Sequence, residues 1–396
     1  MGDLRELFDL LIRWVHVIAA IMWVGNSLLF NWLDRNLEAH PAPRDTSQGR
    51  IWLLHSGGFY DVEKIISPGA TMPRTVHWFM WQAYTTWLSG ALLLGFVYYH
   101  SGAALLKGSG TQLSTAAAIG VSLGFIILGR VVYEAAWNSP LGRKPAIANA
   151  VLIVVLLAAA YALLDVFSGR AAYLHVGALL GTIMAGNVGH YIIPSQRAMV
   201  KGVESGTGAD RKLSDKAKHH SIINNYLTFP VIVLMVSSHF PGFYASDNAW
   251  GILVVLVFGG AYVRHILNVR YTNPQWKPSL AAAIAGIALL LFFLTRSASA
   301  GASGTPLGAS DVVTFEQVEA IVQKRCTVCH SAAPADRTFG VAPGGVTFDT
   351  PEQIRARAAR IEHRAVVTKT MPPANKTFLT DEERAVLGAW AATSRE

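Results

Sequence analysis

The two cysteines of this 396-residue chain stand together in Cys326-Thr327-Val328-Cys329-His330. A C-x-x-C-H run suits covalent haem attachment, because two thiols at that spacing can each form a thioether to one porphyrin while the adjacent imidazole reaches the iron. With no further cysteine in the chain, a disulfide scaffold and a four-thiolate zinc site are excluded. Downstream, Met371-Pro372-Pro373 offers a sixth ligand: the prolines stiffen the segment that carries the sulfur, and a His/Met pair favours a high potential. Cys326, Cys329, His330 and Met371 are therefore the expected haem c residues, with His330 and Met371 as axial ligands of the iron.

A haem-wrapping module needs a few short helices, and the surrounding residues supply their signals. Thr314-Phe315-Glu316-Gln317 and Thr380-Asp381-Glu382-Glu383 read as capping boxes, and Pro351 suits the first turn of a third helix. Residues 311–396 read as a small α-helical domain of the class I cytochrome c kind. Residues 297–310 are almost all small and read as a flexible linker, with a reach of about 20 Å.

Ahead of the linker the chain changes character. The whole sequence is 52% hydrophobic and only 15% charged, and the apolar residues fall in long runs, which points to a membrane protein. Eight segments are long enough to span: about 10–33, 75–97, 114–133, 147–166, 172–193, 222–238, 249–269 and 279–296. The expected fold is all-α, an eight-helix membrane bundle over residues 1–296 followed by the small helical domain, with Pro230 kinking the sixth span. The net charge of +8 is no nucleic-acid signature, because alternate loops hold the basic residues. Loops 1–2, 3–4, 5–6 and 7–8 carry fifteen Lys and Arg, against three in the N-terminus and the other loops. That bias places the basic loops in the cytoplasm and both termini outside. The expected setting is a bacterial inner membrane with the haem domain in the periplasm. No cleavable signal peptide is expected, the first apolar stretch being long enough to remain as a span.

Ionisable residues inside spans are expensive and mark function. Here they are mostly histidines. His16, His175 and His239 lie toward the outer face, and His77, His190 and His265 toward the cytoplasm. On an unbroken α-helix, His175 and His190 would be about 22 Å apart along the axis and about 60° apart around it, which suits two stacked b-type haems. His16 is the expected outer partner and His77 or His265 the inner one, for one or two haems b. Each of these histidines is equally suited to bonding a neighbouring helix. Arg130 and Glu134, at i and i+4, share a face of the third span. They suit a bidentate hold on a planar anion beside a proton acceptor, or a plain helix-locking ion pair. In the first long loop, His55 to Lys64 combines glycines, an aromatic pair, an acid and a base, and suits closure over a flat ligand, with Lys64 as a further substrate or proton group. No nucleotide motif for a flavin or NAD is present.

That loop run, with His77-Trp78-Phe79 continuing to Thr86-Trp87-Leu88-Ser89-Gly90, Ile192-Ile193-Pro194-Ser195-Gln196-Arg197, and His220 followed by Asn224-Asn225-Tyr226-Leu227-Thr228, resembles the membrane-integral urate oxidases (the PuuD family) over essentially the whole chain. Ser56 stands where that family has a further glycine. The resemblance implies oxidation of urate to 5-hydroxyisourate in purine catabolism. Electrons would pass to the cytochrome c domain and on to a soluble cytochrome c or terminal oxidase. Urate is a planar anion that loses two electrons without hydride transfer, and a basic cytoplasmic face would attract it. Two other classes suit the same features: a quinol-cytochrome c reductase, and a membrane anchor or transporter carrying a cytochrome.

Overall fold

The structure is a computed structural model describing residues 2–39, 41, 46–66, 75–100, 113–244, 246, 248–300, 313–335, 342, 345–372 and 377–394. Most of the expected linker, from residue 301, and Pro373 lie outside these.

Helix α5 (Gly169–Asn187) is the element on which the bundle is built, because its small residues let neighbours approach on every side. Twelve of its positions are buried, among them Ala171, Ala172, Gly177 and Ala185. It packs against α2 (Met80–Leu93), α3 (Thr115–Asn138), α4 (Pro145–Val166) and α7 (Arg211–Val236). The main core gathers where these helices meet, around Leu163, Phe167, Tyr173, Val176, Leu180 and Leu234, joined by Ile252 and Leu253 of α9 (Ala249–Val269). By contrast α1 (Gly2–Arg35) packs on α2, α10 (Trp276–Ala300) packs on α9, and both turn long apolar faces outward. A surface so rich in exposed Leu, Ile, Phe and Trp suits hydrocarbon rather than water.

Among the described residues, seven helices are long and apolar enough to cross a membrane: Leu7–Arg35, Thr115–Asn138, Pro145–Val166, Gly169–Glu204, Arg211–His239, Ala249–Val269 and Trp276–Thr295. The expected second span is shorter in its α-helical part. It begins only at Met80 and passes after Leu93 into a π-helical turn, Leu94–Tyr99. The fifth expected span also changes winding. After Asn187 the chain makes a π-turn, Val188–Ile192, and runs straight on as α6 (Ile193–Glu204), with Pro194 in its first turn, where a missing N–H costs nothing. The sixth is longer than its apolar run, because α7 starts at Arg211, capped by Asp210, and continues through Pro230. A short helix, α8 (Pro241–Tyr244), precedes α9.

The bundle is not wholly α. The stretch read as a loop closing over a ligand forms a two-stranded antiparallel hairpin, β1 (Ser47–His55) and β2 (Gly58–Ile65). Its two turn residues, Ser56 and Gly57, both have positive φ, 52° and 76°. That conformation matches the right-handed twist of paired strands, which is why a glycine stands there.

The C-terminal residues build their own core. Helices α11 (Phe315–Arg325), α12 (Pro351–Arg355), α13 (Ala358–Ile361) and α14 (Asp381–Thr393) pack around Val318, Val322, Ile354 and Leu387, all fully buried. Capping boxes stand at Thr314 and Thr380 as the sequence predicts, with a third at Thr350 ahead of Pro351. Arg325 at the end of α11 grips the Glu383 carboxylate through Nε and Nη2, at 3.0 and 2.9 Å, which joins the first helix to the last.

Candidate functional site

One face of α3 carries Arg130, Tyr133, Glu134 and Trp137, at i, i+3, i+4 and i+7, so one helix presents a cation, an acid and two aromatics to the same neighbours. Those neighbours are the π-turn after α5 and the first half of α7. Arg130 and Glu134 form a close ion pair. His190, in the π-turn, joins both: its Nδ1 lies 3.1 Å from Arg130 Nη2 and 3.7 Å from Glu134 Oε2. Sequence reasoning placed His190 one regular helical face away from His175. The extra residue of the π-turn changes the phase of the helix and aims His190 at Arg130 instead.

Around this triad the polar groups bond in series. The fully buried Asn187 donates through Nδ2 to Tyr133 Oη at 3.0 Å and to Asn224 Oδ1 at 2.9 Å. Asn224 in turn donates to the Met184 carbonyl at 2.9 Å. Tyr133 Oη lies 3.3 Å from His220 Nδ1. The His220 ring stacks on Tyr191 with centroids 3.7 Å apart and planes inclined by 12°. Lys216, one turn before His220 on α7, lies with Nζ 5.0 Å from the Tyr191 ring. Trp137 closes the side, its ring 4.6 Å from that of His219.

Apart from Glu134 Oε2, which is ion-paired with Arg130, four buried polar atoms at this place find no hydrogen-bond partner among the described residues: Arg130 Nη1, Trp137 Nε1, Asn187 Oδ1 and His219 Nε2. Leaving such groups unpaired costs on the order of 1–3 kcal/mol each, so water or a polar ligand is expected to pair with them. The inventory is two donors, one acceptor and one imidazole nitrogen whose role follows its tautomer. A flat heterocycle with carbonyl oxygens and ring N–H groups on its edge carries the complementary acceptors and donors. The guanidinium itself is seated by Gly186: a Cβ there would stand 2.4 Å from Arg130 Nε and 2.6 Å from its Cζ.

The other expected residues lie elsewhere. Lys64 on β2 pairs instead with Asp34 at the end of α1, 2.6 Å away and exposed to solvent. His77 is exposed ahead of α2, and His239 is exposed after α7. His265 on α9 bonds Tyr226 of α7 at 2.8 Å through Nδ1. His16 faces α2, its Nδ1 3.0 Å from both the Thr86 carbonyl and Ser89 Oγ. Gly90 lets it approach, since a Cβ there would meet His16 Cε1 at 3.1 Å. His175 is fully buried and spends both ring nitrogens, Nδ1 on the Ala171 carbonyl at 2.7 Å and Nε2 on Ser122 of α3. His16 and His175 thus bond different helices and share no partner. Tyr133, Trp137, Asn187, Tyr191 and His219 were missed by sequence reasoning because neutral polar and aromatic residues are cheap in a span and raise no alarm there. The i, i+3, i+4, i+7 spacing on α3 was the available signal.

In the C-terminal unit, Cys326 follows directly on α11, and the chain turns so that His330 N bonds the Cys326 carbonyl at 2.8 Å. Neither cysteine is in a disulfide. Burial, and then the neighbouring Cys329 sulfur, pushes the Cys326 thiol up to about 12. His330 Nδ1 lies 2.9 Å from the Val346 carbonyl, which fixes the tautomer and leaves Nε2 for a metal. Met371 is held through its backbone: its N–H donates to the Arg364 carbonyl at 2.9 Å, and its carbonyl accepts from Arg384 Nη1 at 3.1 Å. These residues fit a covalently attached haem.

Residues 3–295 match the family model described as urate oxidase N-terminal. The chain belongs to this family. No curated protein and no solved structure matches it. The match covers the entire helical bundle and stops short of the C-x-x-C-H unit, so the family relationship bears on the bundle and on the Arg130 cluster within it.

Proposed function

We propose that the chain is a membrane urate oxidase, converting urate to 5-hydroxyisourate at the Arg130–His190–Trp137 cluster and passing the electrons to haem c in its C-terminal unit. The observation that carries this reading is the convergence of four unpartnered buried polar atoms on an arginine in a urate oxidase-family bundle. The Arg130 guanidinium offers Nη1 to a urate oxygen and neutralises the anion. Trp137 Nε1–H donates to a ring carbonyl, and Asn187 Oδ1 accepts from a ring N–H. His219 completes the edge through Nε2.

Oxidation removes two electrons and two protons overall and adds one water, so the site must also hold a base. Glu134 and His190 are placed for it. Glu134 Oε2 lies 3.7 Å from His190 Nδ1, a distance that one proton transfer step across a small rearrangement can bridge, and His190 is the more exposed of the two. The stacked Tyr191–His220 pair and the Tyr133–Asn187–Asn224 series hold the walls in register. When bound at Cys326 and Cys329, haem c supplies a one-electron acceptor of high potential; His330, in its fixed tautomer, and Met371 would be its axial ligands. As placed, His175 spends Nδ1 on the Ala171 carbonyl and Nε2 on Ser122, so either bond would have to open before it could ligate a haem b.

The basic face of the loops supports a cytoplasmic urate site, with the C-terminal unit in the periplasm and a soluble cytochrome c or terminal oxidase as final acceptor. The test is turnover by the purified full-length chain with a soluble cytochrome c. Loss of urate with appearance of 5-hydroxyisourate supports the enzyme, whereas urate recovered unchanged on the far side of a vesicle identifies a transporter. Trp137→Phe, which removes only the indole donor, should raise the KM for urate about tenfold, the worth of one hydrogen bond to a charged ligand.

A further inference from the structure

Arg264 on α9 is 2% exposed and has no acidic partner among the described residues. Its Nε donates to Asn225 Oδ1 at 3.1 Å, and Asn268 Nδ2 donates to the same oxygen at 2.7 Å. The guanidinium carbon lies 5.5 Å from the Phe229 ring. Arg264 Nη2 and Asn268 Oδ1, both buried, find no partner. A buried cation with nothing to balance it is among the costliest arrangements in a membrane bundle. This cluster is distinct from the Arg130 site: adjacent residues of α7 serve the two, Asn224 turned to α5 and Asn225 turned to α9.

Next to it in the chain, a groove of about 500 Å³ opens between α7, α9 and α10, lined by Phe229, Gly259, Gly260, Ile284, Ile287 and Val263, the residue before Arg264. Phe229 belongs to both features, and Gly260 stands one turn from Arg264 on α9. At the same end, Arg270 caps α9 and α10 opens on Trp276 and Lys277, whose Nζ lies 5.9 Å from the Trp276 ring. A cationic, aromatic rim, a buried guanidinium and an apolar groove beside it are complementary to one kind of molecule: an anion at the membrane surface that carries a hydrocarbon chain.

We propose that this groove is a binding site for one anionic phospholipid, its acyl chain between α7, α9 and α10 and its phosphate drawn to Arg264. The phosphate supplies the missing negative charge and accepts from Nη2. This assignment stands whether or not urate is the substrate.

The test is native mass spectrometry of the full-length chain released from vesicles of phosphatidylcholine and phosphatidylglycerol in equal amounts. The wild-type chain is expected to keep about one phosphatidylglycerol in preference to phosphatidylcholine. Arg264→Gln should cut that preference about five- to tenfold, the worth of one cation near an anionic headgroup. Ile287→Trp, which fills the groove and leaves Arg264 in place, should lower retention of both lipids, and keeps the test decisive if Arg264→Gln does not accumulate. Equal retention of the two lipids by the wild-type chain, an unchanged preference in Arg264→Gln, or a bound quinone in place of phospholipid would each overturn the assignment.

Discussion

Gly186→Ala isolates the role of Arg130 without touching any polar group. The added methyl carbon would stand 2.4, 2.6 and 2.8 Å from Arg130 Nε, Cζ and Nη2, where contacts of about 3.5–4.0 Å are needed. The obstructing atoms are the far end of a flexible side chain, so the guanidinium retreats by roughly 1 Å and the backbone stays. Alanine is the better helix former by about 1 kcal/mol, so the fold is retained or slightly strengthened. A shift of about 1 Å in a positioning group costs on the order of a hundredfold, or about 2.7 kcal/mol of transition-state stabilisation. Steady-state urate consumption should therefore show kcat/KM down about a hundredfold at an unchanged Tm. Full activity in a normally folded variant would refute the placement of urate against Arg130. A fall in Tm of many degrees would refute the claim that only the side chain gives way.

Glu134→Gln keeps the shape and removes the proton acceptor, so kcat should fall by about 10²–10⁴, the contribution of a positioned general base, while KM changes little. Met371→Ala should leave haem c covalently attached through Cys326 and Cys329 but lower its midpoint potential, read by redox titration in the visible bands. Glu383 reports on the joint between α11 and α14. Burial works to raise its pKa, but the Arg325 guanidinium and the Thr380 N–H outweigh it and hold the carboxyl below the usual range. A carboxyl depressed in the folded state contributes stability above its unfolded pKa of about 4.3 and loses it as pH falls through the folded value. Acid unfolding of the C-terminal unit, followed by haem absorbance in the full chain, should thus steepen below about pH 4. Glu383→Gln should lower stability at neutral pH and flatten that acid dependence.

Legibility varied with how local the governing physics is. Seven of the eight expected spans stand as long apolar helices among the described residues, because twenty apolar residues in a row have few alternatives, and the capping boxes at Thr314 and Thr380 could be read because the bond is made within four residues. The Arg130–Glu134 pair was readable from its spacing. His190 as its partner was not, since a π-turn at Val188–Ile192 leaves no mark in the pattern of apolar residues. The hairpin at Ser47–Ile65 was also missed, although Gly58-Phe59-Tyr60-Asp61-Val62-Glu63-Lys64-Ile65 alternates well enough to suggest a strand. Read as a stretch of glycine, acid and base, it looked like a loop. The partner of His175 was not readable either: a sequence shows that an imidazole is in the span, not that a serine on the next helix holds it.

The central claim joins the two halves of the chain, urate bound beside Arg130 and haem c at Cys326 and Cys329. Its most direct test is the visible spectrum of the purified, oxidised, full-length protein before and after urate is added without oxygen. The account predicts reduction of the c-type bands by urate, with 5-hydroxyisourate formed, and no such reduction in Arg130→Gln. Haem c that stays oxidised with urate but is reduced by a quinol analogue would contradict it.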